Sequence, residues 1–321
     1  MAGKFTFTPE DYQTAAIKYR REILMTILQG VMRTIQYMTG RPGIRYKERV
    51  GEADADAQFA PYDPTNETDV DLKIGFRELE TFFGSVVKNF EPNSAVSTLL
   101  GTGATKGDGQ MQTPTAKLVL QLMAKKLSWY LNNAIWKAKR NPAGKTTMDL
   151  FDGFDTITQK EIDATNISAE KGNYIKLPEE ITNESAVEVI RDNILFKLDE
   201  ELRAQTCYLY CSQSILDKYN VAYQMVNGAL PYNREFGHTS VEGSEGKLIF
   251  CPLSNKAGSD FIHVSPKRNM LVGYDSLGDV ESIEVARFKP FVLSFIATMF
   301  FGTQFERIDK QNLFVADLRV A

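Results

Sequence analysis

The stretch from Met270 to Ala321, MLVGYDSLGDVESIEVARFKPFVLSFIATMFFGTQFERIDKQNLFVADLRVA, follows the two-residue period of β-strands for most of its length. From Phe291, the odd positions Phe291, Leu293, Phe295, Ala297, Met299 and Phe301 form one bulky face, and Val292, Ser294, Ile296, Thr298 and Phe300 form the other. Lys289-Pro290 separates this run from a preceding strand, Glu281 to Phe288, because proline interrupts a ladder. The pattern predicts two long antiparallel strands. A shorter strand, Leu313 to Val320, follows, with Phe314, Ala316, Leu318 and Val320 on one side and Asp317 and Arg319 on the other. Holding the final residues in a sheet ties down a segment that domains usually leave loose.

A chain of 321 residues supports one large domain or two ordinary ones, and 43% apolar with 24% charged residues is globular usage. The net charge of −4 and pI near 5.5 give no whole-chain basic footprint of a dedicated nucleic-acid binder, although local patches stay open. Three cysteines, Cys207, Cys211 and Cys251, argue against a disulfide scaffold and for a reducing compartment. The most apolar run, Phe291 to Phe301, is shorter than the roughly 20 residues a membrane helix needs, so a soluble chain is expected.

Thr8-Pro9-Glu10-Asp11 predicts a helix start, with a threonine cap, proline in the first turn and acids behind it. Apolar residues at helical spacing carry this helix to about Thr39, where Gly40 and Pro42 stop it. Residues 41–113 are rich in Gly, Pro, Asp and Asn, with strand-like runs at Ile44 to Val50 and Val70 to Arg77. So sparse a pattern predicts a segment used outside the core, and Ile44 to Arg77 is expected to form a two-stranded protruding loop whose Gly51 to Asp71 part is ordered only by a neighbour.

A long helix is predicted from Thr113-Pro114 to Arg140, about 37 Å at 1.5 Å per residue. Lys117, Gln121, Lys125, Ser128, Asn132 and Lys139 form a narrow polar stripe, and apolar residues, Leu122 and Tyr130 among them, cover most of the remaining circumference, as in a helix largely enclosed by other structure. Asn141-Pro142 ends it and Leu150 to Asp155 follows as a turn. A helix from Ser185 to Leu202 is expected to bury Val187, Ile190, Ile194, Leu195, Leu198 and Leu202. Thr206 to Cys211 reads as a core strand. Ser214 and Asp217 suggest a capping box for a further helix that turns Ile215, Leu216, Tyr219, Ala222, Tyr223 and Val226 inward and closes at Gly228. Strands are expected at Lys247 to Cys251, Phe261 to Val264 and Met270 to Tyr274. The order of elements is that of an α+β fold.

Residues suited to catalysis are few. His238 and His263 are the two histidines, neither with a motif beside it, and both read as satisfied or solvated side chains. Cys207 and Cys211 lie on one side of a strand, without the turn of a zinc or redox pair, and read as buried thiols. The glycine-rich Gly101 to Asp108 does not match a phosphate-binding loop. Asp54, Asp56, Asp63, Asp69 and Asp71 lack the spacing of a calcium loop and read as a solvated acidic segment. No catalytic, cofactor-binding or metal-ligating residue is assigned.

The order of these elements resembles the major capsid protein of tailed bacteriophages, the HK97-type shell fold. The resemblance is carried by AIWKAKRNPAGKTTMDLFDGF at the exit of the long helix, by the helix Glu188 to Arg203 followed by TCYLYCSQSILDKY, and by NMLVGYDSLGDVESIEVARFKPFVLSFIATMFFGTQFE. It implies an α+β capsid fold with an N-terminal arm (1–40), an extended loop and connection (41–113), a peripheral domain of spine helix and long C-terminal β-hairpin (114–182 and 273–305), and an axial mixed α/β lobe (183–272 and 306–321). It also implies a virion protein, made in the bacterial host cytoplasm, that forms hexamers and pentamers. These would enclose double-stranded DNA without sequence specificity, with scaffolding and portal proteins as further partners, no membrane and no cofactor. The sequence starts at the arm without a long helical leader, so whether a separate scaffold or a removed leader takes part stays open. Arg45, Lys47 and Arg49, alternating along one side of the loop strand, are candidate inter-subunit contacts that would meet an acidic patch on a neighbour; an ordinary solvated strand face explains them equally well. An encapsulin-like nanocompartment shell protein and an α+β hydrolase with a scattered site are the rival readings.

Overall fold

β11, Val292–Phe305, is the longest strand among the described residues and organises half of the chain. The computed structural model describes residues 9–55, 72–91, 112–228, 239–275, 283–289 and 292–319. In chain order they form α1 (Pro9–Ile35), β1 (Thr39–Pro42), β2 (Lys47–Ala55), β3 (Leu72–Glu80), β4 (Phe82–Phe90), α2 (Gln112–Lys137), α3 (Phe154–Asp163), β5 (Tyr174–Lys176) and α4 (Ala186–Asn193). They continue with α5 (Glu200–Ala204), β6 (Cys207–Cys211), α6 (Gln213–Asn227), β7 (Leu248–Pro252), β8 (Phe261–Ser265), β9 (Met270–Asp275), β10 (Ile283–Lys289), β11 and β12 (Phe314–Asp317).

Both edges of β11 are paired. β10 runs antiparallel along Val292 to Ala297, and β9 along Phe300 to Phe305. β4 pairs antiparallel with Leu293 to Phe301, overlapping both neighbours and so occupying the opposite edge. β1 adds parallel to β9 and completes a five-stranded sheet. The expected alternation is present: Leu293, Phe295, Ala297 and Phe301 are buried and Met299 is half-buried. This face packs under α1 and α2, where Ala15, Ala16, Ile23, Ile27, Val119, Leu120 and Ala124 meet Ile283, Val285, Leu293 and Phe295. The opposite face is open at Phe83 and Val87.

The second sheet has the order β5-β12-β8-β6-β7 and carries its own core with α4, α5 and α6. A third cluster joins the two sheets through Trp136, Phe151, Phe154, Tyr210, Phe261, Phe301, Phe305 and Val315, each essentially without solvent contact. β2 and β3 form a separate antiparallel hairpin, as expected from Ile44 to Arg77, but Gly51 to Ala55, expected to be ordered only by a neighbour, pair with Leu72 to Phe76 of the same chain. Its base is held by Val50 and Leu79 against Ile44 and Leu271. The residues 56–71 that link its strands lie outside the described residues, as do Thr8, Gly101 to Asp108 and His238.

Several expectations from sequence change. α1 ends at Ile35 rather than near Thr39, because Thr39 to Pro42 pair with Leu271 to Tyr274. The polar stripe of α2 divides: Lys117, Ser128 and Asn132 lie at the seam with α1, whereas Lys125 and Lys139 are exposed. Ser128 donates to the carbonyl of Ile27 at 2.6 Å, Thr34 Oγ1 donates to Asn132 at 2.7 Å, and Lys117 pairs with Glu22. Gly30 sits at that crossing, and a Cβ there would lie 2.0 Å from Ser128 Oγ. Leu122 and Tyr130, expected in the covered part of the helix, are 40 and 45% exposed, and Trp129 beside them is 53% exposed.

The turn expected at Leu150 to Asp155 leads directly into α3, capped at Gly153; a side chain at Gly153 would collide with the Trp136 carbonyl at 2.3 Å. The single helix expected over Ser185 to Leu202 is broken into α4, a 3-10 turn and α5, since Asp199 leaves the helical conformation to cap α5, accepting from the Glu201 N–H at 3.1 Å. Its six expected core residues are nevertheless all buried. α6 is capped at Ser212 rather than Ser214, and Val226 is 71% exposed instead of inward. In β12, Asp317 is buried along with the apolar residues, held by Tyr174 at 2.9 Å and by Arg319. β1, β4, β5 and α3 are additional to the elements expected.

Truncating Phe295, 1% exposed beneath α1 and α2, removes a ring that nothing nearby can replace. Phe295→Ala is expected to destabilise the subunit by about 3–5 kcal/mol and to lower its melting temperature by several degrees, with Lys289→Ala as a near-neutral control. An unchanged melting temperature in thermal denaturation would place this face outside the core.

Candidate functional site

Titratable groups gather at one buried point and on two exposed surfaces. The buried point lies where α3, β8 and the short turn Ser254–Lys256 meet Trp136 of α2. The Lys256 ammonium, 1% exposed, donates to Asp155 Oδ1 at 3.1 Å, Ser259 Oγ at 3.3 Å and His263 Nδ1 at 3.0 Å, and sits 3.7 Å from the centre of the Trp136 ring. Three donors thus meet three acceptors and an aromatic face. An ammonium can only donate, so Nδ1 of His263 accepts; the ring proton is on Nε2, facing Thr158 Oγ1 at 2.8 Å.

Burial pushes the Lys256 pKa down, against the pull of Asp155, and burial next to Lys256 pushes His263 well below the ordinary histidine range. Asp155 lies in the first turn of α3, where a negative charge is favoured. The arrangement ties α2, α3 and β8 together. His263 is therefore the satisfied core histidine that the sequence suggests. The three cysteines are buried thiols as well: Cys207 donates to the Leu202 carbonyl, and desolvation raises Cys207 and Cys211 to about 12 and Cys251 higher still.

The first exposed surface is the hairpin. Arg45 precedes β2 and its guanidinium pairs with Asp275, at the end of β9. Lys47 and Arg49 share one side of β2, opposite Glu80 and Glu78 in the register. Lys47 Nζ lies 3.1 Å from Glu78 and 3.8 Å from Glu80, and the hydrogen bond it donates to Glu78 raises its pKa. The Arg49 guanidinium sits 4.7 Å from the Phe76 ring centre. All three side chains are exposed, and each has a partner within this chain.

The second surface, not singled out by the sequence reading, is the outer side of α2 and its exit. Lys125, Lys126, Trp129 and Tyr130 are exposed, and a groove of about 880 Å3 opens between β4, the end of α2 and residues 140–150. Among the described residues no group of His, Cys, Asp and Glu side chains is placed to hold a metal ion, and no helix is long and apolar enough to cross a membrane. Asp56, Asp63, Asp69 and Asp71 lie outside the described residues.

No family model matches the sequence, and no curated protein matches it. Solved structures do match over nearly the full chain. A chain of the satellite phage P4 procapsid including the size determination (Sid) protein is 14% identical, with a TM-score of 0.59, covering 92% of this chain and 91% of that one. The capsid of an empty GTA particle gives 12% identity and a TM-score of 0.57 over 91% and 90% of the two chains. The cyanophage A-1(L) capsid gives 11% identity and a TM-score of 0.53 over 91% and 92%. The chain has the α+β shell fold of the HK97 type.

Because the folded state holds His263 neutral while an unfolded chain protonates it near pH 6.5, stability is present in full above that pH and is lost progressively as pH falls below it. Thermal melts between about pH 7 and pH 5 should show a falling melting temperature, with a shallower slope in His263→Gln. Equal slopes in the two proteins would mean that His263 takes up its proton in the fold.

Proposed function

We propose that the chain is the structural subunit of an icosahedral bacteriophage or prophage capsid, self-assembling into hexamers and pentamers that enclose double-stranded DNA. The observation that carries this is the shell fold, matched over about 90% of both chains in capsid structures from unrelated-looking sequences. The role is architectural: the three cysteines are buried, and His263 and Lys256 are buried and hydrogen-bonded to each other.

Within that reading, residues 1–40 form an arm, 41–113 the extended loop and its connection, 114–182 with 273–305 the peripheral domain, and 183–272 with 306–321 the axial lobe. The separate clusters under β11 and around β6 support the two lobes, and α1 of the arm shares the cluster under β11. The hairpin supplies a reach of about 30 Å for each nine-residue strand, at about 3.3 Å per residue, from a base anchored on β9. Arg45, Lys47 and Arg49 on it are proposed inter-subunit contacts. Rings that close through one repeated heterologous contact are the geometry such a subunit needs. Scaffolding and portal proteins complete the proposed partners, with the virion as the final location.

Sedimentation velocity and light scattering at high protein concentration, alone and with a co-expressed scaffolding protein, are expected to show rings or closed particles. A strictly monomeric species under all of these conditions contradicts the proposal. Arg49→Glu is expected to reduce particle yield several-fold while leaving the melting temperature within about a degree, as for most surface substitutions; unchanged assembly would remove the hairpin side chain from the contact.

A further inference from the structure

Between Gln112 and Met148 the chain carries seven basic residues, Lys117, Lys125, Lys126, Lys137, Lys139, Arg140 and Lys145, and no acidic one, although the whole protein is acidic with a net charge of −4. Three of the seven are engaged inside the fold: Lys117 pairs with Glu22, Lys137 donates to the Ala257 carbonyl, and Arg140 donates to the Leu150 carbonyl at 3.3 Å and lies over the Phe82 ring. The rest are exposed. Lys125 and Lys126 stand on the open side of α2. Lys139, Arg140 and Lys145 follow its end, and Arg140 and Lys145 line the groove together with Lys88 of β4 and Tyr130. Among the described residues, Lys88, Lys125, Lys126, Lys139 and Lys145 form no ion pair. The neighbouring acids are already held: Asp149 by the N–H and hydroxyl of Thr146, Asp152 by Lys160 at 2.6 Å and by the Arg140 N–H.

We propose that this stripe and groove mouth form the surface on which the subunit meets the phosphate backbone of double-stranded nucleic acid. The assignment rests on the shell reading and adds to it the face that lines the interior. From Lys125 to the end of α2 the helix spans about 18 Å, and the cations beyond it lengthen the array. A duplex presents about one phosphate charge per 1.7 Å of axis, so such an array meets a series of phosphates.

The side-chain types fit a sequence-blind contact. Lysines act as point charges without the forked geometry that reads base edges. A single strand is disfavoured because the aromatic faces are in use: Trp129 and Tyr130 pack edge to face at 5.0 Å, and the Lys126 ammonium covers both rings at 4.2 and 5.0 Å. The competing occupant is a protein segment, namely residues 51–71 of a second copy, which hold seven acids and no base.

The test is fluorescence anisotropy of the full-length protein with a short labelled duplex, from about 50 to 200 mM salt. The variant Lys125→Gln/Lys126→Gln/Lys139→Gln/Lys145→Gln is compared with a control that loses the same charge elsewhere, Lys171→Gln/Lys176→Gln/Lys197→Gln/Lys267→Gln. The stripe variant should lose at least tenfold in affinity at the lowest salt and flatten the salt slope by up to about 0.9 per phosphate contact removed, with an unchanged melting temperature. The control should lose much less. Equal losses in both variants, or no salt-dependent binding by the wild type, would overturn the assignment. So would binding of a labelled 51–71 peptide, lost in the stripe variant, without duplex binding. Electron microscopy of the same samples separates the two claims: particles without duplex binding sink this inference alone, whereas duplex binding without particles under any condition sinks the shell reading.

Discussion

A strand of fourteen residues with a neighbour on each edge and a bulky face on one side has to satisfy three demands at once, and β11 does so in a way that sets the position of nearly every other element. Its backbone groups are taken by β10 and β9 along one edge and by β4 along the other. Its odd side chains need a roof, which α1 and α2 supply together. Its far end, at Phe301 and Phe305, reaches the cluster around Trp136 that joins the second sheet. Loss of any one of these contacts leaves unpaired backbone or exposed phenylalanine in the middle of the subunit.

The roof explains the surfaces. α2 must give one face to the sheet and another to α1, and the small and polar residues Gly30, Ser128, Thr34 and Asn132 allow the two helices to approach with their hydrogen bonds made. Asn255 adds to the same knot by donating to the Asn132 carbonyl at 2.7 Å. What remains outward is a band of lysines and aromatic rings beside the groove. The hairpin β2–β3, by contrast, is rooted by a four-residue apolar cluster at its base. One subunit therefore carries an anchored extension and a cationic helix face, two unlike surfaces on a common frame.

The long strands were legible because their alternation is uninterrupted and a proline marks the junction, and α2 and α6 because their ends carry Pro114, Pro142 and Gly228. β4 was not, since it follows β3 after the single residue Thr81 and its partly exposed faces leave only a weak hydrophobic alternation in FFGSVVKNF. Periodicity reports which residues of α2 share a face and is silent on what covers that face, so the seam with α1 at Ser128 and Asn132 was not legible. For the same reason Leu122 and Tyr130 were placed inside. The Lys256 cluster could not be found from sequence: Asp155 lies 101 positions from Lys256, and Thr158 lies 105 from His263, so only the packed fold brings them together. The basic run over 112–148 was present in the sequence, but its side chains divide between the helix seam and the surface only once α1 is in place.

Cryo-electron microscopy of purified particles, refined to the point where helices and strands are traced, tests the central claim directly. The account predicts a closed shell built from rings of five and six copies, each with β11 at the centre of its sheet, the β2–β3 hairpin lying across an adjacent copy and the lysine band of α2 toward the lumen. A discrete small oligomer without closure, or a shell in which that band faces the exterior solvent, would contradict it.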